Sequence, residues 1–83
     1  MIVDENTLLE ELFNEARSLI NNVRSDEEFI VKELFRGFEW NRISKGNRTK
    51  LGMLILNYSN NEGKKIIVPI GKTQQNQQKY RKL

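Results

Sequence analysis

Apolar residues fall at Leu9, Leu12, Ala16, Leu19 and Val23, at spacings of 3, 4, 3 and 4, flanked by Leu8, Phe13 and Ile20. That period puts them on one face of an amphipathic helix of about four turns. Thr7, with Glu10 three residues on, fits a capping box at its start. Asn21-Asn22 weaken its end. The stripe has two destinations. It packs on the rest of the domain, or Leu9, Leu12, Ala16, Leu19 and Val23 pair with their copies in a homodimer. Two heptads are too few for an independent coiled coil.

The pattern then changes. In "RSDEEF" either Ser25 or Asp26 is placed to cap a new segment. Phe29-Ile30-Val31 reads as a short extended piece leading into a helix, with Gly37 as a break and Leu34, Phe35, Phe38 and Trp40 as core candidates. Ser44 stands where a cap serves a helix from Lys45 onward. Leu51, Leu54, Ile55 and Tyr58 mark one face of that helix, with Met53 and Leu56 beside it. Gly52 inside it costs about 1 kcal/mol against alanine, a cost that the close approach of another backbone would justify. "SNNEG" ends the helix.

"KKIIVPIG" is β-branched and reads as a strand, and Pro69 assigns it to a sheet edge because proline has no N–H for the ladder. Gly71-Lys72-Thr73 is the expected turn. The glutamine-rich segment after it returns as a second strand ending near Tyr80. The expected fold is α+β, one domain over residues 1–83. A helix within residues 1–24 precedes a winged-helix-like body over residues 25–83, giving about three helices and a C-terminal β-hairpin.

Composition narrows the chemistry. Eighty-three residues bury one modest core. With no cysteine and no histidine, disulfides, thiolate metal sites and imidazole bases are excluded. The carboxylates lie at surface-like spacing, and no catalytic residue, metal, cofactor or small-molecule substrate is indicated. No apolar run approaches the ~20 residues that span a bilayer, and no signal pattern opens the chain, so the expected location is the cytoplasm.

"GKT" suggests a phosphate-binding loop. That loop needs a glycine five residues before Gly71, where Ile66 stands, and the intervening residues are strand-like. A hairpin turn accounts for the triplet instead. Trp40 and Tyr58 sit among apolar neighbours and read as core; Tyr80, between Lys79 and Arg81, is more exposed or else anchors the last strand.

The net charge of +3 conceals a split. Residues 1–40 carry ten acids and four bases, a net −6, whereas residues 41–83 carry one acid and ten bases, a net +9. A polyanion partner or an acidic protein surface for the second half follows, or mutual neutralisation within the fold or across a dimer. Lys45, Asn47, Arg48, Thr49 and Lys50 fall in the first turns of the Ser44-capped helix, a position suited to phosphates and to base edges in a major groove. Lys64, Lys65, Lys72, Lys79, Arg81 and Lys82 decorate the hairpin, where they contact backbone phosphate or merely protect an edge strand. The leading expectation is a non-enzymatic protein that binds duplex DNA, a transcriptional or mobile-element regulator. The alternative is an interaction module dimerising through the N-terminal stripe.

Phe29, Lys32-Glu33-Leu34, Trp40, Arg48, Leu51-Gly52, Gly71-Lys72-Thr73 and Tyr80 occur in an order that resembles the bacterial family called domain of unknown function 1413, over about residues 29–80. The resemblance implies no catalytic residues and no established activity. It implies that "GKT" belongs to the family's hairpin. It also points towards regulation, since some relatives carry an N-terminal segment similar to small dimeric DNA-binding regulators.

Overall fold

The computed structural model describes residues 2–83. Helix α1 spans Leu9–Ile20. It starts beyond the position that Thr7 was expected to cap. The Thr7 hydroxyl instead accepts the Asp4 amide at 2.9 Å, closing a local turn. Leu8 is the cap residue, and its amide is held by the Glu11 carboxylate at 3.0 Å. The apolar stripe folds inward. Leu12, Ala16 and Ile20 are buried, while Leu9, Leu19 and Val23 are half-buried against the same core. All five residues of the proposed dimer seam are therefore packed within their own chain, facing α3 (Lys45–Asn60) and a 3₁₀ turn at Val31–Leu34.

Neither Ser25 nor Asp26 caps a helix. Asp26 has φ +74° and donates its amide to the Lys82 carbonyl at 2.7 Å, and the Ser25 hydroxyl reaches the Leu83 carbonyl at 3.3 Å. These residues tie the chain to its own C-terminus. Strand β1, Glu28–Ile30, follows directly and runs into the 3₁₀ turn, matching the extended piece expected there. Helix α2 spans only Gly37–Arg42. Phe35 is buried, but Phe38, expected in the core, is 52 % exposed with the Arg42 guanidinium 5.0 Å from its ring centroid. The inward position belongs to Glu39. Its carboxylate accepts the Val3 amide at 2.8 Å while Arg42 donates to the Val3 carbonyl at 2.9 Å, fixing the N-terminal segment on α2.

Two residues, Ile43 and Ser44, separate α2 from α3. The Ser44 hydroxyl accepts the Asn47 amide at 3.2 Å, the expected cap. Leu51 and Ile55 are fully buried and set the rotation of α3 about its axis. No other backbone approaches Gly52. A Cβ built there meets open space, so close packing does not explain this glycine. Close packing does explain Gly63, just beyond the helix, which lies against the Tyr58 ring.

Strands β2, Ile67–Lys72, and β3, Gln78–Lys82, form the hairpin. β1 adds a third strand, giving an antiparallel sheet of order β1-β3-β2. Pro69 lies on the edge strand β2, as expected. Tyr80, on the central strand, is completely buried and stacked on Phe29 with centroids 5.7 Å apart; it anchors the last strand rather than facing solvent. The turn falls later than "GKT". Gly71 and Lys72 are strand residues, and the chain reverses over residues 73–77, where the Thr73 amide donates to the Gln77 carbonyl at 2.9 Å and Asn76 takes φ +64°. The register shifts between Pro69 and Lys72, and Gly71 has φ +111° within that irregularity.

Candidate nucleic-acid interface

Helix α3 carries no acidic residue over its length, and its first half presents Lys45, Thr49 and Lys50 to solvent. Burial of Leu51 and Ile55 on the opposite side fixes this orientation. Asn47 is half-buried and its amide is used by the Ser44 cap. The Thr49 hydroxyl bonds back to the Lys45 carbonyl at 3.1 Å, leaving its methyl and its remaining acceptor capacity outward.

Arg48 is differently placed. It is half-buried, donates from Nη2 to the Trp40 carbonyl at 2.9 Å, and holds its guanidinium 5.2 Å from the Trp40 ring centroid. One face of its fork is thus committed to the α2–α3 junction.

The hairpin cations do not act as one set. Opposite residues on paired strands share a face, and successive residues alternate. Tyr80 points to the core, so Lys79 and Arg81 lie on the outer face of the sheet. There Lys79 pairs with Glu28 at 3.0 Å, and Glu28 is also the register partner of Arg81. Lys64 and Lys65 are exposed in the turn beyond the C-terminal end of α3, and Lys82 pairs with Ile67 at that same end. At 1.5 Å per residue, the sixteen residues of α3 separate this end from Lys45 by about 24 Å. Lys72 is the exception. The bulge at Gly71 brings it opposite Gln78, on the face that Tyr80 shares, and it joins Arg48 and Thr49 around one groove. Of the eleven predicted contacts, the structure brings Arg48, Thr49 and Lys72 together around this groove, while Lys45 and Lys50 are exposed on the same half of α3, with Asn47 adjacent.

That groove, about 520 Å³, runs between α3 and the sheet. Trp40, Gly52, Met53 and Leu56 form its apolar side and Tyr80 part of its wall. Burial pushes the Tyr80 phenol up from 10.0 to about 12. Sequence reading missed the groove, because the exposed Met53 and Leu56 were grouped beside the core face of α3. Their offset from Leu51 and Ile55 was the available signal.

The charge split survives folding. Among the described residues the ion pairs are Arg36–Glu39 at 3.9 Å and Lys79–Glu28 at 3.0 Å, and only the second joins the acidic half to the basic half. No group of three or more acidic, histidine or cysteine side chains able to hold a metal occurs among the described residues. No helix among them is long and apolar enough to cross a membrane.

The family model described as Domain of unknown function (DUF1413) matches residues 14–82. The chain belongs to this family. The match extends further towards the N-terminus than the motifs alone indicated, taking in most of α1 as well as the sheet. The residues matched to DUF1413 thus run from within α1 to β3, and Gly71-Lys72-Thr73 lies in the hairpin among them. No curated protein and no solved structure matches the chain.

Proposed function

We propose that this DUF1413 protein binds duplex DNA through the first half of α3 and Lys72, without catalysing a reaction. The observation that carries the reading is the exposure of Lys45, Thr49 and Lys50 on the first half of an acid-free helix, with Lys72 lining the same groove as Thr49. Chain topology supports it. A helix, a strand, two helices joined by two residues, then two strands whose last pairs with the first is the arrangement expected of a winged helix. In such a unit α3 enters the major groove, and the hairpin tip lies beside it over backbone phosphate. Lys45 and Lys50 contact phosphate, and Thr49 offers a methyl and a hydroxyl to base edges. The outer-face cations Lys79 and Arg81 and the distal Lys64, Lys65 and Lys82 are left out of this interface.

Fluorescence anisotropy with a labelled duplex at two salt concentrations tests the reading. Binding is expected to weaken steeply as salt rises, through release of counterions from the neutralised phosphates. Lys50→Ala and Lys72→Ala each lower the slope of log affinity against log salt by about 1. Lys64→Ala and Lys65→Ala leave it unchanged. Absence of binding at micromolar protein and low salt rejects the proposal, and equal losses from all four substitutions reject this interface in favour of diffuse attraction.

A further inference from the structure

The groove between α3 and the sheet has features that DNA binding does not require. Its 520 Å³ fall within the roughly 300–1,000 Å³ of small-molecule sites. Trp40, Met53 and Leu56 give it an apolar side, and the open space above Gly52 leaves the helix surface flat where a side chain would otherwise stand. Its charge is one-sided. Lys32, Arg48 and Lys72 line it, and no acidic residue among the described residues does.

A second observation concerns hydrogen bonding. Among the described residues three buried side-chain polar atoms lack a partner, and two of them, Arg48 Nε and the Tyr80 hydroxyl, belong to residues that line this groove. Tyr80 is fully buried, where an unmade hydrogen bond costs about 1–3 kcal/mol. Arg48 Nε can only donate, and the Tyr80 hydroxyl can donate as well as accept. Three cations, Arg48 among them, facing an apolar wall with no acid describe one chemical class.

We propose that this groove binds a small amphipathic anion, an aromatic or acyl body bearing one oxyanion group. The apolar body lies along Met53 and Leu56 beside Trp40, across the flat surface at Gly52. The oxyanion faces Arg48 and Lys72 on the cationic side of the groove. The site shares Arg48, Thr49 and Lys72 with the DNA reading, but Gly52, Leu56 and Tyr80 have no part in that interface, so substitution at Gly52 tests this groove separately.

The full chain, without DNA, is titrated with 8-anilinonaphthalene-1-sulfonate, an aromatic anion, and separately with N-phenyl-1-naphthylamine, which has the same rings and no sulfonate. Trp40 is the only tryptophan, so its quenching and energy transfer to the dye report occupancy of this groove. The expected result is saturable one-to-one binding of the sulfonate, at least tenfold tighter than the neutral dye. Gly52→Leu fills the open space and weakens the sulfonate at least tenfold, while thermal unfolding shows the protein still folded. Phe38→Ser, which removes an exposed aromatic elsewhere, leaves sulfonate binding unchanged. Equal affinity for the two dyes overturns the anion assignment. Binding indifferent to Gly52→Leu, lost with Phe38→Ser, or absent altogether overturns the site.

Discussion

Arg48 holds Trp40 in two ways at once: its Nη2 donates to the Trp40 carbonyl at 2.9 Å and its guanidinium lies 5.2 Å from the indole centroid. The pair joins the first turn of α3 to α2 across the two-residue junction. A charged hydrogen bond of this kind contributes about 1.5–3 kcal/mol and an exposed cation–π contact about 0.5–1. Arg48→Ala is expected to lower the unfolding free energy by about 1–3 kcal/mol in urea titrations followed by Trp40 fluorescence. Arg48→Lys keeps the charge but not the planar fork and recovers less than half of the loss. Wild-type stability in Arg48→Ala would show that the contact does not hold the junction. Any loss of ligand or DNA binding in Arg48 variants has to be judged against this structural effect.

Gly63 and Tyr58 form a second dependent pair. A Cβ at Gly63 would press into the Tyr58 ring, 2.6 Å from Cζ. The ring has little room to retreat, because Phe13 meets it edge-on with centroids 6.1 Å apart and the Gly63 amide is bonded to the Tyr58 carbonyl at 2.7 Å. Gly63→Ala therefore costs about 1–3 kcal/mol, the usual range for overpacking. In the Tyr58→Leu background the same substitution costs less. Additive losses in this double-mutant cycle would place the strain elsewhere.

How these contacts relate to the sequence explains what was readable there. Local chemistry carried through. Ser44 caps α3, Pro69 lies at an edge, and the 3-4-3-4 stripe of α1 faces the core. Each depends on a few neighbouring residues. What failed depends on contacts across the chain. Thr7 gave up its cap because Asp4 captured its hydroxyl, and Asp26 turned to meet Lys82. Gly71 and Lys72 became strand because Tyr80 and Phe29 set the register of the central strand, leaving only Thr73 of the triplet in a turn that falls at residues 73–77. Basic composition likewise marked the second half of the chain but not its faces. Only strand pairing shows that Lys79 faces Glu28 while Lys72 turns towards α3.

Tyr80 supplies a pH dependence. Burial pushes its phenol from 10.0 in the unfolded chain to about 12 in the fold. The native state therefore disfavours the phenolate, and the unfolded state loses its proton first. Stability from this group is complete below pH 10 and is lost as pH rises towards about 12, by up to about 2–3 kcal/mol. Tyr80→Phe has no such group. At neutral pH it removes a buried hydroxyl without a partner and is expected to be as stable as the parent or more so. Between pH 9 and 11 the advantage of Tyr80→Phe should widen in urea titrations. A constant difference across that range would mean that the phenol ionises as easily in the fold as outside it.

Gly71 decides where Lys72 points. At φ +111° the backbone is in a region that L side chains rarely adopt, and the register shift around it is what sets Lys72 opposite Gln78. No neighbouring atom opposes a Cβ there, so the effect of Gly71→Ala is one of backbone conformation alone. It is expected to cost about 1–3 kcal/mol and to reduce amide protection in the hairpin tip. Lys72→Ala, at an exposed position, changes stability by no more than about 0.5 kcal/mol. The two variants thus separate position from charge. If Lys72 contributes to DNA affinity from the side of α3, both weaken DNA binding, but only Gly71→Ala alters hydrogen exchange at Gln77 and Gln78. If Gly71→Ala disturbs the tip while DNA affinity and its salt dependence stay as in the parent, Lys72 is not a contact, and the interface contracts to α3 alone.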